Sequence, residues 1–501
     1  SLNLDQLNNV SLEYNKITRL VGVFDDNTRN ANVYLDNNPI LCREIDEFNL
    51  SPAPINLRFN TACAKDTDAD GVVDANDQFP NDVAAALDYD GDGKPDAWNL
   101  GFGADDSSTG LVLDDDDDND GFSDADDEFP NNSAESSDRD NDGIGDNGDA
   151  FPDDASRQFF SIPEALEQVV DPGLRQCLEN GVSGLEHAGQ LRALSCGSSE
   201  SLEGIQAFNL LNRFEIGNAN FANLVPLTAL TQLEHLRLAW GAQQISDLSP
   251  LSGLKKLRHL NLEGQSVTDV EALAGLNHLE ELNLRYNQIS NTGPLANLGS
   301  MRTLNLQNNR LTELPNISRL SSLENLYLTN NQLTEVVDLE SNSLRHIQLG
   351  ANAIRSVSVS GVQQLSYLDL SSNPLQSLTF ANNQTVQHLN LDRSGFANLV
   401  SLAEISESLQ YLDARKNGIS SIDVLSSFTR LDGLYLEDNE IVSFGNTFDS
   451  MSGTNINLSR NPLLCSEVER LDDLPVNVYF EGQCATDTDG DGSVDGRDAF
   501  Q

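Results

Sequence analysis

The stretch HLEELNLRYNQISNTGPLANLGSMRTLNLQNNRLTELPNISRLSSLENLYLTNNQL, residues 278–333, decides the fold. Leucine doublets separated by one residue, Leu282/Leu284, Leu304/Leu306 and Leu326/Leu328, are each followed three places later by Asn287, Asn309 and Asn331, and then by a second apolar position such as Ile289 or Leu311. Working outward, the doublet recurs at Leu236/Leu238, Leu260/Leu262, Ile347/Leu349, Leu368/Leu370 and Leu389/Leu391, and onward to Leu434/Leu436, at spacings of 21 to 24 residues. Asn352, Asn373, Asn417 and Asn439 keep the asparagine position. Alternate residues of a strand share one face, so each unit lays down a short strand with two leucines turned inward. The asparagine amide then bonds loop backbone that the turn would leave unpaired. One such unit cannot bury its face, so the units must stack, and the open ends of the stack need covers.

This pattern resembles the leucine-rich repeat, and the unit of about 22 residues resembles the internalin-like bacterial class. The resemblance spans about 300 residues and implies an α/β solenoid of parallel strands with short convex segments. Six cysteines fall as three local pairs, Cys42 with Cys63, Cys177 with Cys196 and Cys465 with Cys484, without a metal-binding spacing. An even count in close, similar spacings reads as disulfides of an oxidising compartment. SIPEALEQVVDPGLRQCLENG, residues 161–181, has helical apolar spacing, and NPLLCSEVERLDDLPVNVYFEGQC, residues 461–484, closes the array. Both are similar to the disulfide-stapled caps of extracellular leucine-rich repeat proteins.

A longer period contains these units. NVYLDNNPILCREIDEF near the start matches NINLSRNPLLCSEVERL near the end, so Cys42 aligns with Cys465, Cys63 with Cys484 and Asp66 with Asp487. The expected organisation is the end of a preceding solenoid (1–64), an acidic segment (65–157), an N-terminal cap (158–197), a solenoid (198–460), a C-terminal cap (461–485) and the start of a next acidic segment (486–501). The chain is therefore expected to be a little over one period of a longer protein.

Hydrophobic residues make up 38% of the 501, enough for real cores, but 79 Asp and Glu face only 29 Lys and Arg, a net charge of −50. Such a field repels nucleic acid and anionic lipid and attracts cations. No apolar run is long enough to cross a bilayer and no leader stands at Ser1, so any secretion signal is expected outside the sequence. Between Asp66 and Asp154, 28 Asp and 2 Glu stand against Lys94 and Arg139. The bias to aspartate asks for a ligand role.

The pattern DxDxDGxxDxx[DN] accounts for it. It occurs at Asp66, Asp68, Asp70, Asp74 and Asp77; at Asp88, Asp90, Asp92, Asp96 and Asn99; at Asp116, Asp118, Asp120, Asp124 and Asp127; and at Asp138, Asp140, Asp142, Asp146 and Asp149. A fifth copy is Asp487, Asp489, Asp491, Asp495 and Asp498. Alternate carboxylates in a tight loop aim at one centre, and the glycine at position six permits the turn. Hard oxygen ligands in this number describe several Ca²⁺ ions. The position-twelve Asp or Asn and the missing flanking helices separate the loops from EF-hands. With the DQFP, DEFP and DAFP tags at Phe79, Phe129 and Phe151, they resemble thrombospondin type 3 repeats. That resemblance implies a mostly irregular chain wrapped around a string of Ca²⁺ ions in place of a hydrophobic core. AWNLGFGADDSSTGLVL, residues 97–113, lacks the tag and puts the continuity of the string in question there.

No GxSxG, HExxH, Walker or dinucleotide-binding pattern occurs, and the paired carboxylates are committed to the loops, so no enzyme is expected. The residue before each doublet faces the concave surface, and that column reads His235, His259, Glu281, Thr303, Asn325, His346, Tyr367, His388 and Tyr411. A solvated aromatic and polar face is the expected reading; a metal or pH-sensitive site at His235 and His259, or a recognition strip for protein or glycan, are the alternatives. The expected function is a secreted or cell-surface, calcium-stabilised structural or adhesive fibre, with neighbouring modules of the same protein as partners. A receptor whose concave face around Tyr327, Tyr367, Tyr411 and Tyr435 binds a protein or glycan is the alternative, and a non-catalytic region of a secreted enzyme is a third.

Overall fold

A computed structural model describes residues 9–11, 32–35, 38, 40, 56–58, 63–74, 76–242, 244–336, 340–341, 343–359, 361–362, 364–380, 385–449, 451–487 and 494. The chain divides into two compact units, Ser1–Ser136 and Ser137–Gln501.

In the first unit, β1 (Asn9–Ser11), β2 (Asn32–Tyr34) and β3 (Asn56–Arg58) form a parallel sheet in chain order. Asn38 Nδ2 donates to Leu35 O at 3.0 Å and the Ala64 N–H to Ile40 O at 2.8 Å. The far end of the chain repeats this local geometry. Strands Asn455–Asn457 and Asn477–Tyr479 pair in parallel, Asn461 Nδ2 donates to Leu458 O at 2.9 Å, and the Ala485 N–H to Leu463 O at 2.8 Å. The matched sequences therefore make matched structures. Cys63 is disulfide-bonded, and Cys42 lies outside the described residues.

The second unit is built on a parallel sheet of fourteen strands among the described residues, running in chain order from Ala193–Ser199 to Asn477–Tyr479. The doublet leucines point inward and are all but excluded from solvent: Leu236 is 1% exposed, Leu238 0%, Leu304 1% and Leu306 0%. On the other side short 3₁₀ turns such as Val225–Ala229, Glu271–Leu273 and Val400–Ile405 return the chain. Between Glu335 and Thr379 those turns give way to a three-stranded sheet, Glu335–Val336, Ser356–Ser358 and Ser377–Thr379. Here the sequence alternates Ser and Val at 356–359, and a period of two with β-branched residues favours extended chain.

Three ladders run along the stack. In the first, each asparagine bridges neighbouring repeats: Asn309 Oδ1 accepts from Ile289 N at 3.0 Å while Nδ2 donates to Leu284 O at 2.9 Å and Leu306 O at 3.0 Å. Gln265 does the same work at its position, accepting from Ile245 N and donating to Leu238 O. In the second, the residue before the asparagine position, which Gly241, Gln265 and Ser394 fill in three repeats, adopts left-handed backbone from Trp240 (φ +52°) through Gly264 (+75°) and Tyr286 (+57°) to Arg460 (+60°). This conformation, costly for a residue with a Cβ, aims its N–H at the next strand's chain, as Tyr286 N–H to Gln307 O at 3.0 Å. The third is electrostatic. Arg258, Glu280, Arg302 and Glu324 occupy one column, with Arg258 paired to Glu280, Arg302 to Glu280 at 4.0 Å and Arg302 to Glu324 at 3.7 Å.

The N-terminal end is covered by two helices, α1 (Ile162–Gln168) and α2 (Pro172–Gly181). Ser161 and Glu164 form a capping box on α1, and Asp171 caps α2 by accepting the Leu174 N–H at 2.6 Å, each with a proline in the first turn. These are the residue types that such termini favour. Leu174 and Leu178 of α2 are fully buried against the first repeats, and Cys177 bonds to Cys196 on the first strand of the sheet. At the other end α3 (Cys465–Val468) is tied to Cys484. Replacing Cys177 and Cys196 by serine is expected to destabilise the N-terminal repeats by about 3 kcal/mol in the chain-entropy account, read as faster hydrogen exchange in residues 193–240 than in 410–460. Equal exchange in both regions would count against a capping role.

Candidate functional site

The acidic loops share one construction. In each, the position-nine N–H bonds back across the loop, as Asp74 N–H to Lys65 O at 2.9 Å and Asp124 N–H to Asp115 O at 2.9 Å. The position-nine carboxylates then accept from position two: Asp74 from Thr67, Asp96 from Tyr89, Asp124 from Asp117 and Asp146 from Arg139, at 2.7 to 3.0 Å between backbone N and Oδ1. Position six is a glycine with φ between +91° and +107°, at Gly71, Gly93, Gly121 and Gly143. The position-one carboxylate accepts the glycine N–H at Asp88, Asp116 and Asp138. The Phe-Pro tags are turns: the N–H of Asp82, Asn132 and Asp154 bonds Phe79 O, Phe129 O and Phe151 O, each at 2.8 Å, with proline at the second turn position, where it is favoured.

The result is four carboxylate triads, Asp66/Asp68/Asp70, Asp88/Asp90/Asp92, Asp116/Asp118/Asp120 and Asp138/Asp140/Asp142, each offering ligand oxygens within 4.8 Å of one another. Position twelve stands beside them. Asp77, Asp127 and Asp149 accept at Oδ1 from the N–H two residues on, at Phe79, Phe129 and Phe151. Burial, with Asp70 and Asp68 adding to it, pushes the Asp77 carboxyl up to about 6. Burial, then Asp120, pushes Asp118 up to about 7, and burial raises Asp90. Asp142 Oδ2 and Asp149 Oδ2 are buried and make no hydrogen bond among the described residues. Packed, buried like charges with unspent oxygens fit a hard divalent cation with all-oxygen ligands. The sequence pattern treats all five Asp positions alike. The structure brings one, three and five together, sets twelve beside them and uses nine to close the loop. Asn99 differs again, donating to Asp70 Oδ2 at 2.7 Å and Val83 O at 3.0 Å, and so ties the second loop to the first. Of the fifth copy only Asp487 is described; Asp489, Asp491, Asp495 and Asp498 lie outside the described residues.

Residues that the pattern passes over complete the segment. The 97–113 insertion folds back so that Ser107 Oγ, Thr109 Oγ1 and the Thr109 N–H all donate to Asp82 Oδ2, at 2.5 to 2.9 Å. Burial opposes ionisation of Asp82, but these bonds and one from Ala84 outweigh it and hold the carboxyl well below the usual range. Lys94 spans Asp92 at 3.1 Å and Asp114 at 2.7 Å, bridging the second and third loops. The recurring place of Asp82, Asn132 and Asp154 after each Phe-Pro tag was the available signal.

On the sheet, the column before the doublets stacks as rings. His235 lies face to face with His259 at 4.0 Å between centroids, and His346, Tyr367, His388 and Tyr411 continue as a run at 4.1, 6.2 and 4.7 Å. Parallel pairing sets each ring beside the next, as His346 beside Tyr367. A depression of about 470 Å³ lies over the first of these strands, floored by His235, His259, Asn261 and Asn283. Burial holds His346 below the ordinary imidazole value of 6.5; His388 adds to this and Asp369 opposes it. The folded value lies below the unfolded one, so the stability is present above about pH 6.5 and is lost as pH falls below it. His346→Phe keeps the stack and removes the titration. Its melting temperature should therefore fall less than the wild type's between about pH 7.5 and about pH 5.5, and parallel curves would refute this.

Residues 255–297 and 299–341 match the family model described as leucine rich repeats in two copies. A search of curated proteins returned no match. Among solved structures, the internalin InlF of Listeria monocytogenes shares 20% identity, covering 64% of this chain and 92% of its own, with a TM-score of 0.49. The functional domain of InlJ from the same species, which includes a cysteine ladder, shares 20% over 65% and 81%, at 0.45. A leucine-rich repeat protein of Leptospira interrogans shares 16% over 95% and 97%, at 0.42. The chain carries leucine-rich repeats, and no helix among the described residues is long and apolar enough to cross a membrane.

Proposed function

We propose that this chain is an extracellular adhesion protein in which a leucine-rich repeat solenoid recognises a partner and calcium-filled aspartate loops stiffen the adjoining segment. The observation that carries the recognition role is a contrast within each strand. The inward leucines hardly change, while the outward column runs His235, His259, Glu281, Thr303, Asn325, His346, Tyr367. A scaffold alone needs only the first. Concave solenoid faces are suited to extended binding surfaces. The carboxylate triads and their unspent oxygens support calcium, whose six to eight oxygen ligands such loops supply. Disulfides support an oxidising, extracellular setting.

A structural fibre of alternating solenoids and calcium loops is the second reading, favoured by the matched strand and hydrogen-bond geometry at Asn38 and Asn461. The two are separated by binding the labelled protein, in millimolar calcium, to immobilised fibronectin, collagen and laminin and to a glycan array. Recognition predicts saturable binding that Asn305→Trp and Tyr367→Ala on the concave face weaken at least about tenfold. Binding to none of these, with calcium-dependent self-association instead, would favour the fibre.

A further inference from the structure

We propose that Trp240, Gly264 and Tyr286 form a platform for a sugar ring of an uncharged glycan; this rests on the recognition reading above. The three residues occupy the left-handed position of three consecutive repeats. Elsewhere that column carries Asn308, Asn330, Ala351 or Ser372, and then charged residues, all small or polar. Trp240 and Tyr286 are 47% and 40% exposed, so their rings serve no core. Gly264 is what lets the indole lie as it does. A Cβ there would stand 2.4 Å from Trp240 Cε3 and 2.6 Å from Cδ2, so the ring occupies the space that a side chain at this position would take. It reaches Tyr286 at 5.4 Å between centroids, and the Arg285 guanidinium sits 4.5 Å from the Tyr286 ring centre with Nη2 donating to the Tyr286 hydroxyl at 3.1 Å. Rigid aromatic surface of this kind binds at little entropic cost.

The neighbouring charges decide the ligand class. Arg285 approaches Glu263 at 3.8 Å, and Glu263 meets Asn283 at the edge of the depression. In the depression Arg213 and Arg237 are matched by Glu215 and Glu281, and Arg285 is matched by Glu263, so the charges balance locally on a chain of net charge −50. Neither a polyanion nor a basic segment finds a complementary field there. Planar amides, carboxylates and guanidinium groups pair with adjacent hydroxyls, and the exposed indole face takes the C–H face of a pyranose ring.

The chain contains two tryptophans, so in a Trp98→Phe background the emission reports Trp240 alone. Titration with neutral cello-, manno-, galacto- and chito-oligosaccharides should give a saturable emission shift for at least one series, insensitive to added salt. Gly264→Ala and Tyr286→Ala should each weaken it at least about tenfold. Ala351 shows that an alanine folds in this left-handed position, at φ +53°, so Gly264→Ala should fold with a lowered melting temperature, and Tyr286→Ala, which leaves the backbone alone, separates loss of the platform from loss of stability. No shift with any oligosaccharide, a shift that survives both substitutions, or one produced only by peptides would overturn the proposal. Binding to a matrix protein that Tyr367→Ala weakens and Gly264→Ala does not would overturn it while leaving the recognition reading intact.

Discussion

Withdrawal of calcium is expected to unfold the aspartate loops while the leucine-rich stack stays folded. Two carboxylates about 4 Å apart repel by roughly 4 kcal/mol at an effective dielectric of 20, and each triad holds three within 4.8 Å. Few apolar contacts oppose this. The buried apolar residues of the first three loops are mainly Val73 and the alanines Ala84, Ala85, Ala86 and Ala134. With chelator, the half-buried Trp98 in a Trp240→Phe background should shift to red-edge emission, and small-angle scattering should show expansion. Asp118→Ala, at a carboxylate 4% exposed within the third triad, should lose bound calcium. Asp115→Ala, next to it but exposed, should not. Emission and radius that ignore the chelator would refute the cation-dependent fold.

In the solenoid, Asn309→Leu is expected to loosen the asparagine ladder. The side chain is 8% exposed, and its removal strands the Ile289 N–H, while Leu284 O and Leu306 O each lose one of two amide donors and keep Asn287 and Asn331. A buried polar group left unpaired costs about 1–3 kcal/mol, so the variant should lose about that much. Because repeats are stabilised by their neighbours, urea unfolding should become less cooperative, the two halves separating at this repeat. Asn309→Gln should cost less, since Gln265 already makes the equivalent bonds. A leucine variant within about 0.5 kcal/mol of the wild type, the range of ordinary surface changes, would remove the ladder from any account of stability.

Those asparagines were legible in the sequence because the chemistry is local and repeated: one amide, three places after a leucine, in register with inward doublets. Gln265 was not, because its one extra methylene reaches the same carbonyl only once the neighbouring strand is in place. The aspartate loops were legible as a ligand pattern for the same reason as the asparagines. What spacing could not separate was the position-nine Asp, which turns to Thr67, Tyr89, Asp117 or Arg139, from the triad it follows. Both roles need a carboxylate, and only the path of the loop assigns them. The platform at Trp240 was invisible for a third reason, since its meaning lies in the absence of a side chain at Gly264, one repeat away.

The column of Arg258, Glu280, Arg302 and Glu324 bears on how the stack avoids assembling wrongly. Repeats so alike in their leucines could dock with one unit looped out, the third strand against the first, and bury nearly the same apolar surface. In the correct order each arginine meets a glutamate. Skipping one unit would set Arg258 against Arg302 or Glu280 against Glu324, so a single error loses two attractions and gains one repulsion. Exposed pairs contribute only about 0–1 kcal/mol each to the finished fold. Their alternation nonetheless marks odd units from even ones, a parity check written on the edge of the sheet where the leucines carry no such information.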